Sequence, residues 1–207
     1  MLRKIRLTLA VLFFLAVTLL FLDFTGTVHA WLGWTARIQF LPALLALNLG
    51  IVLALVALTL VFGRIYCSVV CPLGVLQDVI AWFGKKRKKN RYSYSPAKAW
   101  LRYGVLALFV IALVAGVGSF VALLAPYSSY GRIAGNLFAP ICQWGNNFLA
   151  YMAERADSYA FYETEVWIKS IPTFVVALAT LIVIGVLAWR NGRTYCNTVC
   201  PVGTVLG

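Results

Sequence analysis

The sequence predicts an all-α integral membrane protein with four transmembrane helices in two helix-pair halves. Two observations support this class. Of the 207 residues, 62% are hydrophobic and only 12% are charged, and a soluble domain has about twice that charged fraction. Apolar runs also recur along the chain, each close to the roughly twenty helical residues that cross a bilayer core.

Four apolar runs account for the predicted spans. Apart from Asp23, near the end of the first run, they contain no acidic or basic residue away from their ends. Ionisable residues inside a membrane usually indicate an ion or proton path, so the sequence disfavours a pump. The predicted spans cover approximately residues 6–24, 41–62, 100–124 and 171–189.

The first apolar run also permits a second interpretation. Basic residues precede it and the small-residue sequence VHA at 28–30 follows it, as in a cleaved signal peptide. The run is longer than an ordinary signal core. Either interpretation leaves the orientation of the later spans unchanged.

The distribution of basic residues predicts the orientation. With the N-terminus inside, fourteen of the eighteen Lys and Arg residues lie in the inner segments 1–6, 63–102 and 190–207. Cytoplasmic loops carry such an excess of positive charge. We therefore expect the N-terminus and both inner connections to face the cytoplasm.

A twelve-residue motif occurs twice, in both cases directly after a predicted span. GRIYCSVVCPLG at 63–74 and GRTYCNTVCPVG at 192–203 agree at eight of twelve positions, 129 residues apart. The repeat divides a single membrane domain, 1–207, into three parts. These are a first half with a surface helix, a basic linker and a second half, at residues 1–84, 85–99 and 100–207.

Each motif supplies two cysteines, and together they supply the four thiolates of an iron–sulfur cluster or a tetrahedral zinc site. Thiols on the cytoplasmic side stay reduced, which favours metal binding or thiol chemistry over structural disulfides. If the two halves meet, one shared site results. Its predicted metal ligands are Cys67, Cys71, Cys196 and Cys200.

The residues around these cysteines suggest supporting roles. Each Cys-Pro pair predicts a loop that enters a helix, and the helix after Pro72 has the spacing of one lying on the membrane surface. Gly74 and Gly203 permit close approach of the backbone to a bound group. Arg64 and Arg193 either offset the charge of a cluster or anchor helix ends at the lipid headgroups.

The repeated C-x-x-x-C-P motifs on a four-span layout resemble the NapH/NosR-type membrane iron–sulfur proteins, a 4Fe-4S binding protein family. The resemblance implies a bacterial inner-membrane component that binds a 4Fe-4S cluster through the four motif cysteines. It also implies electron transfer between a quinone pool or cytoplasmic donor and a partner redox enzyme. The role would be that of an electron-transfer subunit rather than of an enzyme acting alone.

One departure from this resemblance concerns the partner. Proteins of this type continue into ferredoxin modules after the second motif, whereas only six residues follow Pro201 here. The expectation is therefore a truncated chain, or a ferredoxin-type module or quinol-linked subunit supplied by another chain.

Two other functions use the same cysteines. The pairs can exchange electrons as dithiol and disulfide in a membrane relay, or hold a structural zinc ion that joins the halves. The relay is disfavoured because we expect the cysteines at a membrane edge rather than at its middle.

Three further features receive structural interpretations. Cys142 is expected to be a small buried hydrophobic residue. The basic run at 85–91 fits lipid anchoring better than docking of an acidic protein, and nucleic-acid binding is not expected. The aromatic residues at 125–130 and 146–152 fit an interfacial belt better than a quinone surface.

Overall fold

The computed structural model describes residues 2–23, 26–87, 99–155, 162–166 and 170–206, which form helices and connections without strands. Most of the predicted basic linker lies outside these ranges. The helices are α1 (Leu2–Leu22), α2 (Thr27–Leu32), α3 (Trp34–Arg37), α4 (Phe40–Leu45), α5 (Leu49–Phe62), α6 (Pro72–Arg87), α7 (Ala99–Val114), α8 (Gly118–Leu124), α9 (Pro126–Ile133), α10 (Ala139–Arg155), α11 (Ile171–Asn191), α12 (Thr194–Thr198) and α13 (Pro201–Val205), with π-helices at Tyr66–Val70 and Ala134–Phe138.

Two of the described helices are long and apolar enough to cross a membrane. They are α1 and α11, with 21 residues each. At about 1.5 Å per residue each measures about 31 Å, the thickness of a bilayer core. These two helices agree with the first and fourth predicted spans.

The second and third predicted spans are not continuous helices. A turn with a left-handed residue, Leu47 or Gly116, separates α4 from α5 and α7 from α8. Both turns use the same hydrogen bonds, since the Asn48 N–H donates to Ala43 O and the Val117 N–H donates to Ala112 O, each at 2.9 Å. This pattern is the Schellman ending of an α-helix. The continuous-span prediction is therefore wrong at these two places.

The chain doubles back at both turns. A straight helix would separate Phe40 from Phe62 by about 33 Å. Instead, the Phe40 N–H donates to the Tyr66 hydroxyl at 3.1 Å, only four residues beyond the end of α5. At the second hairpin, Arg102 near the start of α7 donates to Thr204 O, directly after the second motif, and Leu124 O at the end of α8 accepts from the Tyr195 hydroxyl. The second and third predicted spans are thus each a hairpin of one short and one longer helix.

The largest buried core joins both halves of the repeat. It contains the four motif cysteines together with Val17 of α1, Tyr130 and Ile133 of α9, and Ile184 of α11. Val17 comes from α1 and Ile184 comes from α11, so both long helices contribute to this core. The segment 126–138 contributes Tyr130, Ile133 and Ala134 to the same core.

The first part of α6 lies in the interior and not on a surface. Leu73 and Gln77 are fully buried, and α6 packs against α1, α9 and α11. Its exposed side includes Trp82 and Phe83. The spacing of apolar residues therefore predicted the helix correctly, but the prediction that it lies at the surface is wrong.

Candidate metal centre

The two motifs begin with the same backbone turn. Gly63 has φ 66° and ψ −136°, and Gly192 has φ 72° and ψ −120°. Residues other than glycine rarely adopt a positive φ. Glycine therefore stops α5 and α11 at equivalent points and turns each motif back toward the core.

The segment that follows each glycine also repeats. Cys71 and Cys200 are extended, with φ/ψ of −79°/114° and −69°/118°. Their N–H groups donate to Tyr66 O at 2.9 Å and Tyr195 O at 3.0 Å. These bonds close a wide, π-helical turn that places both cysteines of a motif in one short loop.

Gly74 and Gly203 allow each loop to close on its own helix. A Cβ on Gly74 would lie 2.0 Å from Cys67 O, and one on Gly203 would lie 2.2 Å from Cys196 O. Real Cβ atoms essentially never approach so closely. The sequence suggested that these glycines make room for a bound group. In the structure the close contact is with the carbonyl of the first cysteine.

All four motif cysteines are buried, with exposed fractions between 2% and 7%, and all are free thiols. Burial raises the pKa of each thiol, and for Cys196 it raises the pKa to about 12. The charge of Cys196 adds to this rise in the pKa of Cys71 and Cys200. The two motifs are therefore close enough for their sulfur atoms to interact across the repeat.

Two arginines at equivalent positions connect the halves in opposite directions. Arg64 donates to Asn197 Oδ1 at 3.0 Å. Arg193 forms a bidentate ion pair with Asp78, including an Nε–Oδ1 bond of 2.6 Å. Burial raises the pKa of Cys67, and the nearby Arg193 and Arg64 cations partly offset that rise. Each arginine thus contacts the opposite half and also places positive charge beside a thiol.

Sequence reasoning missed a buried polar network behind the first motif. The Tyr66 hydroxyl donates to Gln39 Oε1 at 3.1 Å and accepts the Phe40 N–H, while Gln39 Nε2 donates to Val70 O at 3.1 Å. Gln39 is fully buried. No local pattern identifies it, because its partners lie about thirty residues further along the chain.

This network predicts that Tyr66→Phe lowers the free energy of unfolding by about 1–3 kcal/mol, because it leaves a buried amide oxygen and a buried N–H without their partner. Urea or thermal unfolding in detergent measures the change. Tyr195→Phe should cost less, since the Tyr195 hydroxyl makes a longer bond of 3.4 Å to Leu124 O. Tyr103→Phe, at an exposed position, is the control. Equal stability of the Tyr66 and Tyr103 variants would contradict the prediction.

The burial of Cys142 and of one aromatic segment differs from the sequence prediction. Cys142 is exposed, so the prediction of a buried hydrophobic role is wrong. Tyr130, in the aromatic segment 125–130, is fully buried, whereas Phe148 and Tyr151 in 146–152 are exposed. The second aromatic segment is therefore the more exposed of the two.

The four motif cysteines fit an iron–sulfur cluster. Four thiolates are the ligand set of such a cluster, and these four cysteines come from two loops of one buried apolar core. No group of three or more His, Cys, Asp or Glu residues within the described ranges is arranged to hold a single metal ion.

The protein is helical, and its largest buried core contains the four motif cysteines. Comparison with known families agrees, since a model described as a 4Fe-4S binding domain matches residues 44–90 and 172–207. Each matched segment contains one motif, and together they cover less than half of the chain. The match supports a 4Fe-4S binding protein family and an iron–sulfur cluster, of the 4Fe-4S type, as the cofactor. No curated protein and no solved structure matches the chain.

Proposed function

We propose that this chain is a membrane electron-transfer component whose 4Fe-4S cluster is held by Cys67, Cys71, Cys196 and Cys200. The single observation that carries the proposal is that these four sulfurs, two from each half, are buried in one core. When bound, such a cluster accepts and donates single electrons. The surrounding protein would keep water from the cluster and place positive charge beside it.

The finer assignment is to the NapH/NosR type, in the bacterial inner membrane with both motifs on the cytoplasmic side. The two long apolar helices support the membrane location, and the basic run at 85–91 favours the cytoplasmic side for the residues around the first motif. Electrons would pass between a quinone pool or cytoplasmic donor and a partner redox enzyme. A ferredoxin-type module or a quinol-linked subunit is the proposed partner, with membrane lipids around the helices.

A cavity beside the first motif suits the quinone part of this proposal. It has a volume of about 580 Å³ and lies between α1 and α6, where Arg6, Ser68, Asp78 and Trp82 contribute to its wall. Small-molecule sites of this size combine apolar walls with a few polar groups. Because Ser68 follows Cys67 in the chain, a planar quinone in this cavity would lie close to a cluster ligand.

The buried thiols disfavour the disulfide relay. Exchange requires an accessible thiolate, whereas all four motif thiols are buried. The cysteines lie in an interior core and not at an exposed edge. Burial therefore replaces membrane-edge position as the reason for preferring a metal centre.

Purification in detergent without oxygen tests the proposal. We expect a brown protein with about four iron atoms and about four sulfides per chain, as a 4Fe-4S cluster requires. Its visible absorbance should decrease on reduction with dithionite. A colourless protein with stoichiometric zinc, or one in which the motif cysteines form disulfides, would overturn the proposal.

A further inference from the structure

Gln77 lies against the second motif although it belongs to the first half. Its side chain is fully buried in α6, and its Nε2 lies 3.2 Å from Cys196 Sγ and 3.4 Å from Leu73 O. Its Oε1 has no partner among the described residues. A buried amide oxygen without a partner costs about 1–3 kcal/mol, so an apolar side chain at this position would avoid that cost.

The orientation of this amide follows from its neighbours. Leu73 O and Cys196 Sγ both accept hydrogen bonds, so the NH₂ end of Gln77 must face them. The opposite orientation would bring the amide oxygen against the Leu73 carbonyl and would leave the Cys196 sulfur, which carries negative charge when it ligates a cluster, without this donor. Gln77 is therefore a donor to the sulfur of Cys196.

The repeat contains this donor only once. The offset of 129 residues places Leu206 at the position equivalent to Gln77, and Leu206 is also buried. An apolar residue thus occupies the same position in the second half. The donation to sulfur comes from one half and acts on a cysteine of the other.

We propose that Gln77 is a positioning residue that donates a hydrogen bond to the Cys196 sulfur and thereby raises the reduction potential of the cluster. This inference rests on the proposed function. Reduction adds negative charge to a cluster, and hydrogen bonds to its sulfur atoms stabilise the more negative state. The effect is strong here because the interior screens charge weakly.

A redox titration followed by electron paramagnetic resonance tests the inference. Gln77→Met keeps the length of the side chain and removes the donor. We expect unchanged iron content and a midpoint potential more negative than in the wild type. Leu206→Met, at the equivalent apolar position, is the control and should leave the midpoint unchanged. An unchanged or more positive midpoint in the Gln77 variant would overturn the inference.

A second measurement avoids dependence on the folding of a variant. Pulsed magnetic resonance of the reduced wild-type protein, with ¹⁵N in its glutamine side chains, should detect coupling between an amide nitrogen and the cluster. Absence of that coupling would contradict the hydrogen bond. If the wild type itself binds no cluster, the proposed function fails; if it does and the midpoint is insensitive to Gln77, only this inference fails.

Discussion

Cys196→Ser is expected to abolish iron binding, and Cys71→Ser should do the same. Both cysteines are buried in the same core although they belong to different halves. Removing one thiolate leaves a cluster with three of its four ligands, in a buried core made mainly of apolar side chains. Iron and sulfide content, together with visible absorbance of protein purified without oxygen, measures the loss.

The comparison between halves makes this test specific. A shared site predicts that either substitution alone removes the whole cluster, whereas two separate sites would leave about half of the iron. Cys142→Ser is the matched control, because Cys142 is exposed and lies outside both motifs. Its iron content should equal that of the wild type. Half-retention of iron in either motif variant would show that the halves bind metal independently.

The second large effect is expected for Gly74→Ala, which should destabilise the first motif loop and strongly reduce cluster content. The added Cβ would lie 2.0 Å from Cys67 O, and backbone atoms on both sides prevent a small local shift from relieving the clash. Overpacking of an interior costs about 1–3 kcal/mol and occasionally more. We expect a value of about 3 kcal/mol or more, because the clash is with backbone.

Two further alanine substitutions, one parallel and one control, allow this result to be interpreted. Gly203→Ala should behave like Gly74→Ala, since its Cβ would lie 2.2 Å from Cys196 O. Gly185→Ala in α11 meets nothing within 4 Å and should leave the cluster intact. Thermal unfolding and iron content of the three variants measure the effects. A stable, iron-loaded Gly74 variant would contradict the loop geometry described here.

The reciprocal arginine contacts give the two halves a defined register. Arg64 reaches Asn197 and Arg193 reaches Asp78, so each motif is tied to the opposite half at its first turn. Exposed ion pairs contribute little to stability, and both partners of the Arg193 pair are partly exposed. Their main effect is therefore to set the relative position of the two cysteine loops.

Composition and the repeat predicted the principal features of this protein. The high apolar fraction indicated helices of membrane length, and two such helices are present. The paired glycines and the paired cysteines before proline have repeated backbone angles, because glycine permits a positive φ and proline holds the residue before it in an extended conformation. These backbone conformations depend on residues that are neighbours in the chain, so they can be derived from sequence alone.

The reversal of the chain at the two hairpins could not be predicted from sequence in the same way. An apolar run has the same hydropathy whether it continues straight or folds back, and the left-handed residue at the first hairpin is Leu47, which does not signal a turn. Gly116 at the second hairpin is a clearer signal, but glycines also occur inside transmembrane helices. Hydropathy therefore overestimated the number of continuous spans.

By itself, the sequence determined the apolar helical class, the duplicated loop and the four candidate sulfur ligands. Only the tertiary structure decided that these loops lie in an interior core, that Gln39 and Gln77 support them, and that Cys142 is exposed. The physical reason is that burial and hydrogen bonding depend on which distant segments pack together. Contacts such as that between Gln77 and Cys196 join residues more than a hundred positions apart.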